Sequence, residues 1–177
     1  MMTIGHSNRQ LAEFIAMLQA HGVQTLADVR TVPKSRYNPQ FNRDTLPSAL
    51  EAAAIRYVHI PGLGGLRHPR KDSTNLGWRN PSFRGYADYM QSAEFARGLE
   101  ELIAIPGAVA IMCAEAVPWR CHRSMIADAL TARGIPVEHI MTAQTRTPHK
   151  LTSFAHVEGT AVTYPGETLE LFPKNGS

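Results

Sequence analysis

Hydrophobic positions along the chain fall into two alternating patterns, short apolar runs and longer stretches with helical spacing. Five short runs are rich in β-prone residues: "MMTIG", "TLADVR", "IRYVHI", "GAVAIMCAE" and "IPVEHIM". Such runs predict strands, and the spaced stretches between them predict helices. The alternation is typical of βαβ units. We therefore expect an α/β fold, a single-domain Rossmann-like three-layer sandwich with a mainly parallel sheet of about five strands.

Capping residues and glycines mark the expected ends of the helices. The first helix is expected to follow Ser7 or Asn8 and to end near Gly22. The second is expected to open at Asp44 or Thr45. Both lie between predicted strands, as the βαβ pattern requires.

The stretch over residues 61–83 lacks periodicity and is predicted to be a lid. The spacing then predicts one helix from Tyr86 to about position 105. A last helix is predicted from about Trp119, with Pro118 at its entry. Residues 121–123, "CHR", would then lie in its first turn.

The tail of the chain has no helical period after Thr142. We expect an α/β core domain over 1–141 and an irregular C-terminal tail over 142–177 that packs on the same domain. Within the tail, Glu158 and Gly159 could form the turn of a short hairpin, or the segment could wrap the surface.

The charge is small overall but uneven. The formal net charge is +3, which does not by itself require a nucleic-acid partner. The segments "RTVPKSRYNPQFNR" and "RHPRKDSTNLGWRNPSFR" hold most of the excess cations. These loops favour an anionic small molecule or nucleic acid as a neighbour, although they could also be solvated loops without a partner.

Two features bear on localisation. No run approaches the roughly 18 apolar residues of a membrane span, and no signal-peptide pattern opens the chain. The expectation is a cytoplasmic protein without a membrane partner. Two cysteines do not make a disulfide scaffold, and in a reducing compartment a clustered pair is catalytic, metal-binding or simply buried.

Polar residues follow four of the predicted strands. In parallel sheets the ligand crevice lies beyond the carboxyl ends of the strands. The residues predicted at this edge are His6, Ser7, Asn8, Arg9, Asp28, Arg30, His59, Gly64, Gly65, Cys113 and Glu115. Their convergence predicts a functional crevice.

The segment "MCAEAVPWRCHR" holds both cysteines of the chain. At a helix N-terminus a thiol becomes a thiolate near neutral pH, so Cys113 or Cys121 could be a nucleophile or an inert buried residue. A phosphatase-like or sulfurtransferase-like loop fits poorly, because six residues separate Cys113 from Arg120 where such loops usually have five, and Glu115 would repel a phosphate.

Two other chemistries remain open for this segment. Glu115 beside Trp119 could act as nucleophile or base, as in glycosidases, with Asp28 either a second carboxylate or a salt-bridge partner. Alternatively, Cys113, Cys121, His122, Glu115 and His6 could hold zinc or iron, although the seven residues between the cysteines exceed the usual ligand spacing.

Arginines and aromatic residues supply candidates for binding an anion. Arg30, Arg36 and Arg123 could clamp a phosphate or a carboxylate bidentately. Tyr37, Trp78 and Tyr86 could add stacking to a nucleotide or could cover the core. No glycine-rich phosphate motif supports a nucleotide site.

Several strings together resemble the domain of unknown function 488 family: "TIGHSNR", "LADVRTVPKSRYNPQFN", "YVHIPGLGGLR", "FRGYADYM", "MCAEAVPWRCHRSMIADAL" and "PHKLTSFAHVEG". The resemblance covers nearly the whole chain and implies a compact α/β domain in the bacterial cytoplasm. The family's characteristic polar positions correspond here to His6, Ser7, Asp28, Arg30, Ser35, Arg36, Gly64, Gly65, Arg67, Tyr86, Cys113, Glu115, Cys121, His122, Arg123 and His149.

The leading hypothesis is an enzyme acting on a phosphorylated, nucleotide-like or nucleic-acid substrate. Its catalytic residues would be Cys113, Glu115 and His122. Its substrate-binding residues would be His6, Ser7, Arg30, Arg36, Tyr37, Arg67, Tyr86, Cys121 and Arg123. The alternative is a non-catalytic nucleotide-binding or nucleic-acid-binding module with structural or redox-sensitive cysteines. The cofactor stays open between zinc, iron and none, and the oligomeric state is not predicted.

Overall fold

A computed structural model of the chain describes residues 1–166. Six strands form one sheet in the order β3-β2-β4-β1-β5-β6, in which the first five are parallel and β6 is antiparallel. The strands are β1 (Met2–Gly5), β2 (Thr25–Asp28), β3 (Arg56–His59), β4 (Val109–Cys113), β5 (Glu138–Ile140) and β6 (Arg146–Pro148). The predicted α/β class and the mainly parallel sheet are confirmed.

Five helices connect the strands. They are α1 (Leu11–Ala20), α2 (Leu46–Ala52), α3 (Pro81–Tyr89), α4 (Ala93–Ile103) and α5 (Arg123–Thr131). Helices α1 and α2 pack on one face of the sheet and α3, α4 and α5 on the other, which gives the expected Rossmann-like sandwich. None of the helices within residues 1–166 is long and apolar enough to cross a membrane.

Strand β4 shows how the two core layers are divided. Ala110 and Met112 belong to the layer beneath α1 and α2, whereas Val109, Ile111 and Cys113 belong to the layer beneath α3, α4 and α5. Successive side chains of a strand point to opposite faces. The sulfur of Cys113 therefore lies on the same face as the segment that leads into α5.

The helical stretch predicted from Tyr86 is two helices in the structure. Helix α3 begins earlier, at Pro81, after Asn80, whose side chain accepts a hydrogen bond from the backbone N–H of Ser82 at 2.8 Å. A second cap interrupts the stretch, because Ser92 Oγ accepts the N–H of Phe95 at 3.2 Å and starts α4. Local capping thus overrides the continuous spacing.

The last predicted helix begins four residues later than expected. Pro118–Arg120 form a single 3₁₀ turn, and Cys121 is extended, with φ −140° and ψ 147°. His122 occupies the N-cap position of α5. Cys121 and His122 therefore precede the helix instead of lying in its first turn.

The tail contributes strands to the fold. Strand β6 pairs with β5, and β7 (His156–Glu158) and β8 (Ala161–Thr163) form a hairpin, with Gly159 at φ 61° in its turn. Val162 and Tyr164 are buried in the core layer that includes α5. The hairpin agrees with one of the two predicted paths, and β6 was not predicted. Residues 167–177 of the predicted tail lie outside the described residues.

Candidate functional site

An open cavity of about 660 Å³ lies beyond the carboxyl ends of β1, β2 and β4. Strands β1 and β4 are neighbours whose connecting helices leave toward opposite faces of the sheet. Such a switch point opens a crevice at the strand ends. His6 and Cys113 flank it, and the backbone N–H of His6 donates to the Cys113 carbonyl at 3.0 Å.

Of the twelve residues predicted to be catalytic or substrate-binding, seven line this cavity. They are His6, Arg30, Tyr86, Cys113, Glu115, Cys121 and His122. The other five predicted residues, Ser7, Arg36, Tyr37, Arg67 and Arg123, are not among its lining residues. The cavity therefore collects the strand-end residues of the prediction but only one of the three candidate anion clamps, Arg30.

The two sulfur atoms meet in the wall of the cavity. Cys113 at the end of β4 and Cys121 after the 3₁₀ turn are 3% and 4% exposed, and their Sγ atoms are in bonding contact. Their Cα atoms are 7.5 Å apart. The seven-residue loop between them thus folds back so that both side chains point at one another.

The sulfur of Cys121 lies at the N-terminus of α5. It accepts the backbone N–H of Arg123 at 3.5 Å and lies 3.7 Å from His122 Nδ1. Unpaired N–H groups and the partial positive charge at a helix N-terminus favour an anion. A reduced Cys121 sulfur at this position therefore has one N–H donor beside it within an otherwise apolar wall.

The ring of His122 is oriented to accept a hydrogen bond from the Cys121 thiol. Its Nε2–H donates to the Val29 carbonyl at 3.0 Å, which leaves Nδ1 unprotonated in the neutral ring. Burial lowers the pKa of His122 to about 4, so the ring is neutral at pH 7. The free Nδ1 lone pair faces Cys121 Sγ, so it can accept a hydrogen bond from that thiol.

His6 has a similar tautomer on the other side of the cavity. Its Nδ1–H donates to the Ser7 carbonyl at 2.7 Å, and its Nε2 lies 3.4 Å from Arg30 Nη1. Burial, together with the nearby guanidinium of Arg30, lowers the pKa of His6 to about 4. His6 also stacks on Phe41, with ring centroids 4.4 Å apart. The neutral ring therefore acts as a hydrogen-bond acceptor.

Asp28 is a salt-bridge partner and not a second catalytic carboxylate. Arg30 donates to Asp28 Oδ1 from Nε at 2.9 Å and to Oδ2 from Nη2 at 2.7 Å. The hydroxyl of Tyr57 donates to Oδ2 at 2.6 Å, and burial together with that bond raises the pKa of Tyr57. Asp28 is completely buried, so it has no access to a substrate.

Glu115 lacks the semi-apolar surroundings that the glycosidase hypothesis requires. Its side chain is exposed at the mouth of the cavity. Trp119 is 65% exposed and lines a different cavity. A carboxylate in contact with water is not converted into a general acid by burial.

Two further cations line the cavity, Lys34 and Arg120. Both are exposed, and neither forms an ion pair with an acid among residues 1–166. Arg30, in contrast, is already neutralised by Asp28. Lys34 lies in the first basic loop of the sequence, which was the available signal for it. Lys34 and Arg120 therefore supply two exposed cations to the mouth, against the one exposed carboxylate of Glu115.

The remaining arginines and the loop tyrosine have other contacts. Arg36 and Tyr37 are exposed, with Tyr37 87% accessible. Arg67 lies 3.6 Å from the centroid of the Tyr89 ring, a cation–π contact. Arg123 is buried, and its Nη2 donates to the carbonyls of Glu115 and Ala116 at 2.8 and 2.9 Å. Arg123 therefore anchors the loop between the cysteines and does not face a ligand.

A buried polar chain that was not predicted continues from Arg123. Its Nη1 donates to Thr3 Oγ1 at 3.2 Å, and Thr3 Oγ1 lies 2.7 Å from His139 Nδ1. His139 Nε2 lies 3.0 Å from His149 Nδ1, and His149 Nε2 lies 2.8 Å from Asp128 Oδ1. An arginine only donates and a carboxylate only accepts, so Arg123 donates to Thr3 at one end of the chain and His149 donates to Asp128 at the other.

The ring of His139 is neutral at pH 7. Burial, followed by the neighbouring His149, lowers the pKa of His139 to about 4. His139 and His149 line a second cavity of about 680 Å³, but each of their ring nitrogens has a protein partner. They are not available as bases or metal ligands. An acid within the apolar pattern "SMIADALTA" was the sequence signal for Asp128.

Metal ligation finds no geometric support in the part of the chain that the structure describes. No group of three or more His, Cys, Asp or Glu side chains within residues 1–166 is arranged to hold a metal ion. The five residues considered as ligands therefore do not form a coordination set.

Comparison with known proteins gives a family. The model of the family described as domain of unknown function DUF488 matches residues 10–130. The chain belongs to this family. The part matched to DUF488 contains both cysteines, His122 and Lys34, and it ends before His139 and His149. No curated protein and no solved structure matches the chain.

Proposed function

We propose that this DUF488 protein is a cytoplasmic enzyme that binds an anionic substrate in the strand-end cavity and acts on it through a cysteine thiolate. The candidate substrates are phosphorylated or nucleotide-like molecules and nucleic acid. The observation that carries the proposal is the setting of Cys121, whose sulfur accepts the N–H of Arg123 at 3.5 Å and faces His122 Nδ1 at 3.7 Å.

The roles within the site follow from these contacts. Cys121 is the nucleophile, and the unprotonated Nδ1 of the neutral His122 ring accepts a hydrogen bond from its thiol. Lys34 and Arg120 attract the anion to the mouth of the cavity. This assignment moves the nucleophile from Cys113, where the sequence placed it, to Cys121. Glu115 has no part in forming the thiolate, since its exposed carboxylate makes no hydrogen bond to either sulfur.

A non-catalytic anion-binding module is the second candidate. The observation that favours it is the bonding contact between the sulfurs, which leaves no free cysteine in the described structure. In that case the same cations hold an anion, and the cysteine pair only braces the loop between them. The two candidates differ in whether the reduced Cys121 is activated.

Alkylation of the reduced protein tests the proposal. Cys113→Ser isolates Cys121, and Cys121→Ser isolates Cys113. At pH 6 the Cys121 thiol of the first variant should react with iodoacetamide on the order of tenfold faster than a small free thiol, because more of it is thiolate. A rate no faster than that of the free thiol would exclude the enzyme proposal and leave the binding module.

Iodoacetate, which is anionic, tests the cations. Relative to iodoacetamide it should react faster with Cys113→Ser than with a small free thiol, and Lys34→Ala combined with Arg120→Ala should remove that preference. Lys71→Ala, which deletes an exposed cation outside the cavity, is the matched control. Adenosine monophosphate should slow alkylation unless the two cations are removed. Lack of protection in the intact site would contradict a phosphorylated substrate.

A further inference from the structure

The two cysteines of the cavity have different surroundings. Cys121 Sγ has a backbone N–H donor and a neutral imidazole beside it. For Cys113 Sγ, in contrast, no hydrogen bond is present among residues 1–166, and its contact is the sulfur of Cys121. Cys121 therefore has the surroundings of an attacking thiol. Cys113 is placed to attack a group attached to the Cys121 sulfur.

Backbone contacts hold this arrangement from both sides. The N–H groups of His6 and Ser7 donate to the carbonyls of Cys113 and Ala114 at 3.0 and 2.8 Å. Arg123 binds the next two carbonyls of the same loop. These contacts fix the backbone of Cys113 beside Cys121, where a resolving thiol must lie.

We propose that the same cavity reduces small anionic disulfides, with Cys121 as the attacking thiolate and Cys113 as the resolving thiol. The inference rests on the proposed function, because it uses the same thiolate and the same cations. A hydrolytic or transfer reaction at Cys121 needs no second thiol, whereas reduction of a disulfide by one chain requires one. The contact between the two sulfurs is therefore explained by this activity.

The reaction consists of two exchanges. The Cys121 thiolate attacks one sulfur of the substrate, the substrate S–S bond breaks, and half of the substrate leaves as a thiolate while the other half stays bound to Cys121. Cys113 gives its proton to the departing thiolate and attacks Cys121 Sγ. The second half leaves as a thiolate, and a Cys113–Cys121 disulfide forms. The substrate disulfide is reduced to two thiols, and an external dithiol must reduce the protein for the next turnover.

The cavity fits a small carboxylate-bearing disulfide. Its volume of about 660 Å³ lies in the range of small-molecule sites, roughly 300–1,000 Å³. Lys34 and Arg120 at the mouth match a carboxylate on each half of the substrate. A cationic disulfide would be repelled by the same side chains.

The probe is 5,5′-dithiobis(2-nitrobenzoate), a disulfide with two carboxylates that releases a coloured thiolate at each exchange. The reduced protein should release two coloured thiolates per chain and retain no adduct in its mass spectrum. Cys113→Ser and Cys113→Ala should each release one and retain one adduct. Cys121→Ser should react much more slowly, without a fast phase.

Control substrates and variants separate the effect of substrate charge on the rate from the reactivity of the thiol itself. Cystamine, which is cationic, should react more slowly than the anionic probe, and Lys34→Ala and Arg120→Ala should slow the anionic probe more than they slow neutral 2-hydroxyethyl disulfide. Lys71→Ala should change neither rate. The near-ultraviolet circular dichroism of each variant shows that it is folded. Two Cys113 variants of different size guard against a folding defect in one of them.

Two results would overturn the inference. Adducts retained on both cysteines of the intact protein would show that no resolving step occurs, and a Cys121→Ser variant as fast as Cys113→Ser would show that Cys121 is not the attacking thiol. If Cys113→Ser is still alkylated rapidly in the first result, the proposed function stands and only the reduction fails. Slow alkylation of that variant would remove both.

Discussion

The buried chain from Arg123 to Asp128 predicts that acid destabilises the fold through His139. Burial lowers the pKa of His139 from 6.5 to about 4. Between pH 6.5 and about 4, His139 is therefore protonated in the unfolded chain but stays neutral in the folded chain. Stability conferred by the neutral ring is complete above pH 6.5 and is lost progressively down to about pH 4.

The size of the effect follows from the same shift. Each pH unit below 6.5 costs about 1.4 kcal/mol, so at pH 5 His139 should remove about 2 kcal/mol from the free energy of unfolding. His6 and His122 have pKa values lowered in the same direction, so the whole protein should lose more than this. Small domains have only roughly 5–15 kcal/mol in total. Acid unfolding between pH 6.5 and 4 is therefore expected.

Urea denaturation at pH 7 and pH 5 measures this contribution. His139→Gln should be less stable at pH 7, because one amide cannot replace both ring contacts, but its loss between pH 7 and pH 5 should be about 2 kcal/mol smaller than that of the native chain. His156→Gln changes an exposed histidine and serves as the control. If the native chain and His139→Gln lose the same free energy of unfolding between pH 7 and pH 5, a neutral, buried His139 is not the source of the pH dependence.

Two further substitutions test the packing around this chain and around the cysteine loop. Asp128→Asn should lower the free energy of unfolding by about 3 kcal/mol, since the carboxylate accepts hydrogen bonds from His149, Thr152 and Tyr164. The control is Asp72→Asn, which changes an exposed carboxylate and should leave the urea midpoint unchanged. Similar midpoints for the two variants would contradict a structural role for Asp128. Gly5→Ala should lower the free energy of unfolding by about 1–3 kcal/mol, because a Cβ there would overlap the Glu115 carbonyl. In thermal melts its control is Gly62→Ala, where a Cβ would meet no atom closer than 3.6 Å. A Gly5→Ala variant with an unchanged melting temperature would exclude close packing of the loop on β1.

The strands and the edge of the site could be predicted from local sequence. Each core strand is a short run whose hydrophobicity is visible without its partners, and in βαβ units the carboxyl ends of parallel strands lie at one edge of the sheet. His6, Arg30 and Cys113 could therefore be assigned to one edge before the order of the strands was known. The same reasoning could not show which residues at that edge are already paired.

Residue roles depended on contacts that local patterns do not contain. The guanidinium group of Arg123 could clamp an anion, but it is buried and binds two backbone carbonyls, so it anchors the loop. We propose Cys121 and not Cys113 as the nucleophile because the start of α5 lies at Arg123, which brings its N–H to the Cys121 sulfur. A shift of a few residues at a helix start changes which atoms face the cavity.

By itself the sequence determined the α/β class, the position of the core strands and the edge where polar residues converge, because hydrophobic periodicity records burial residue by residue. The tertiary structure alone decided the strand order, the meeting of the two sulfurs and the chain that joins Thr3 to His139 across 136 positions. Hydrogen bonds and ion pairs depend on distances of a few ångströms between residues far apart in sequence. Those distances exist only after the layers have packed.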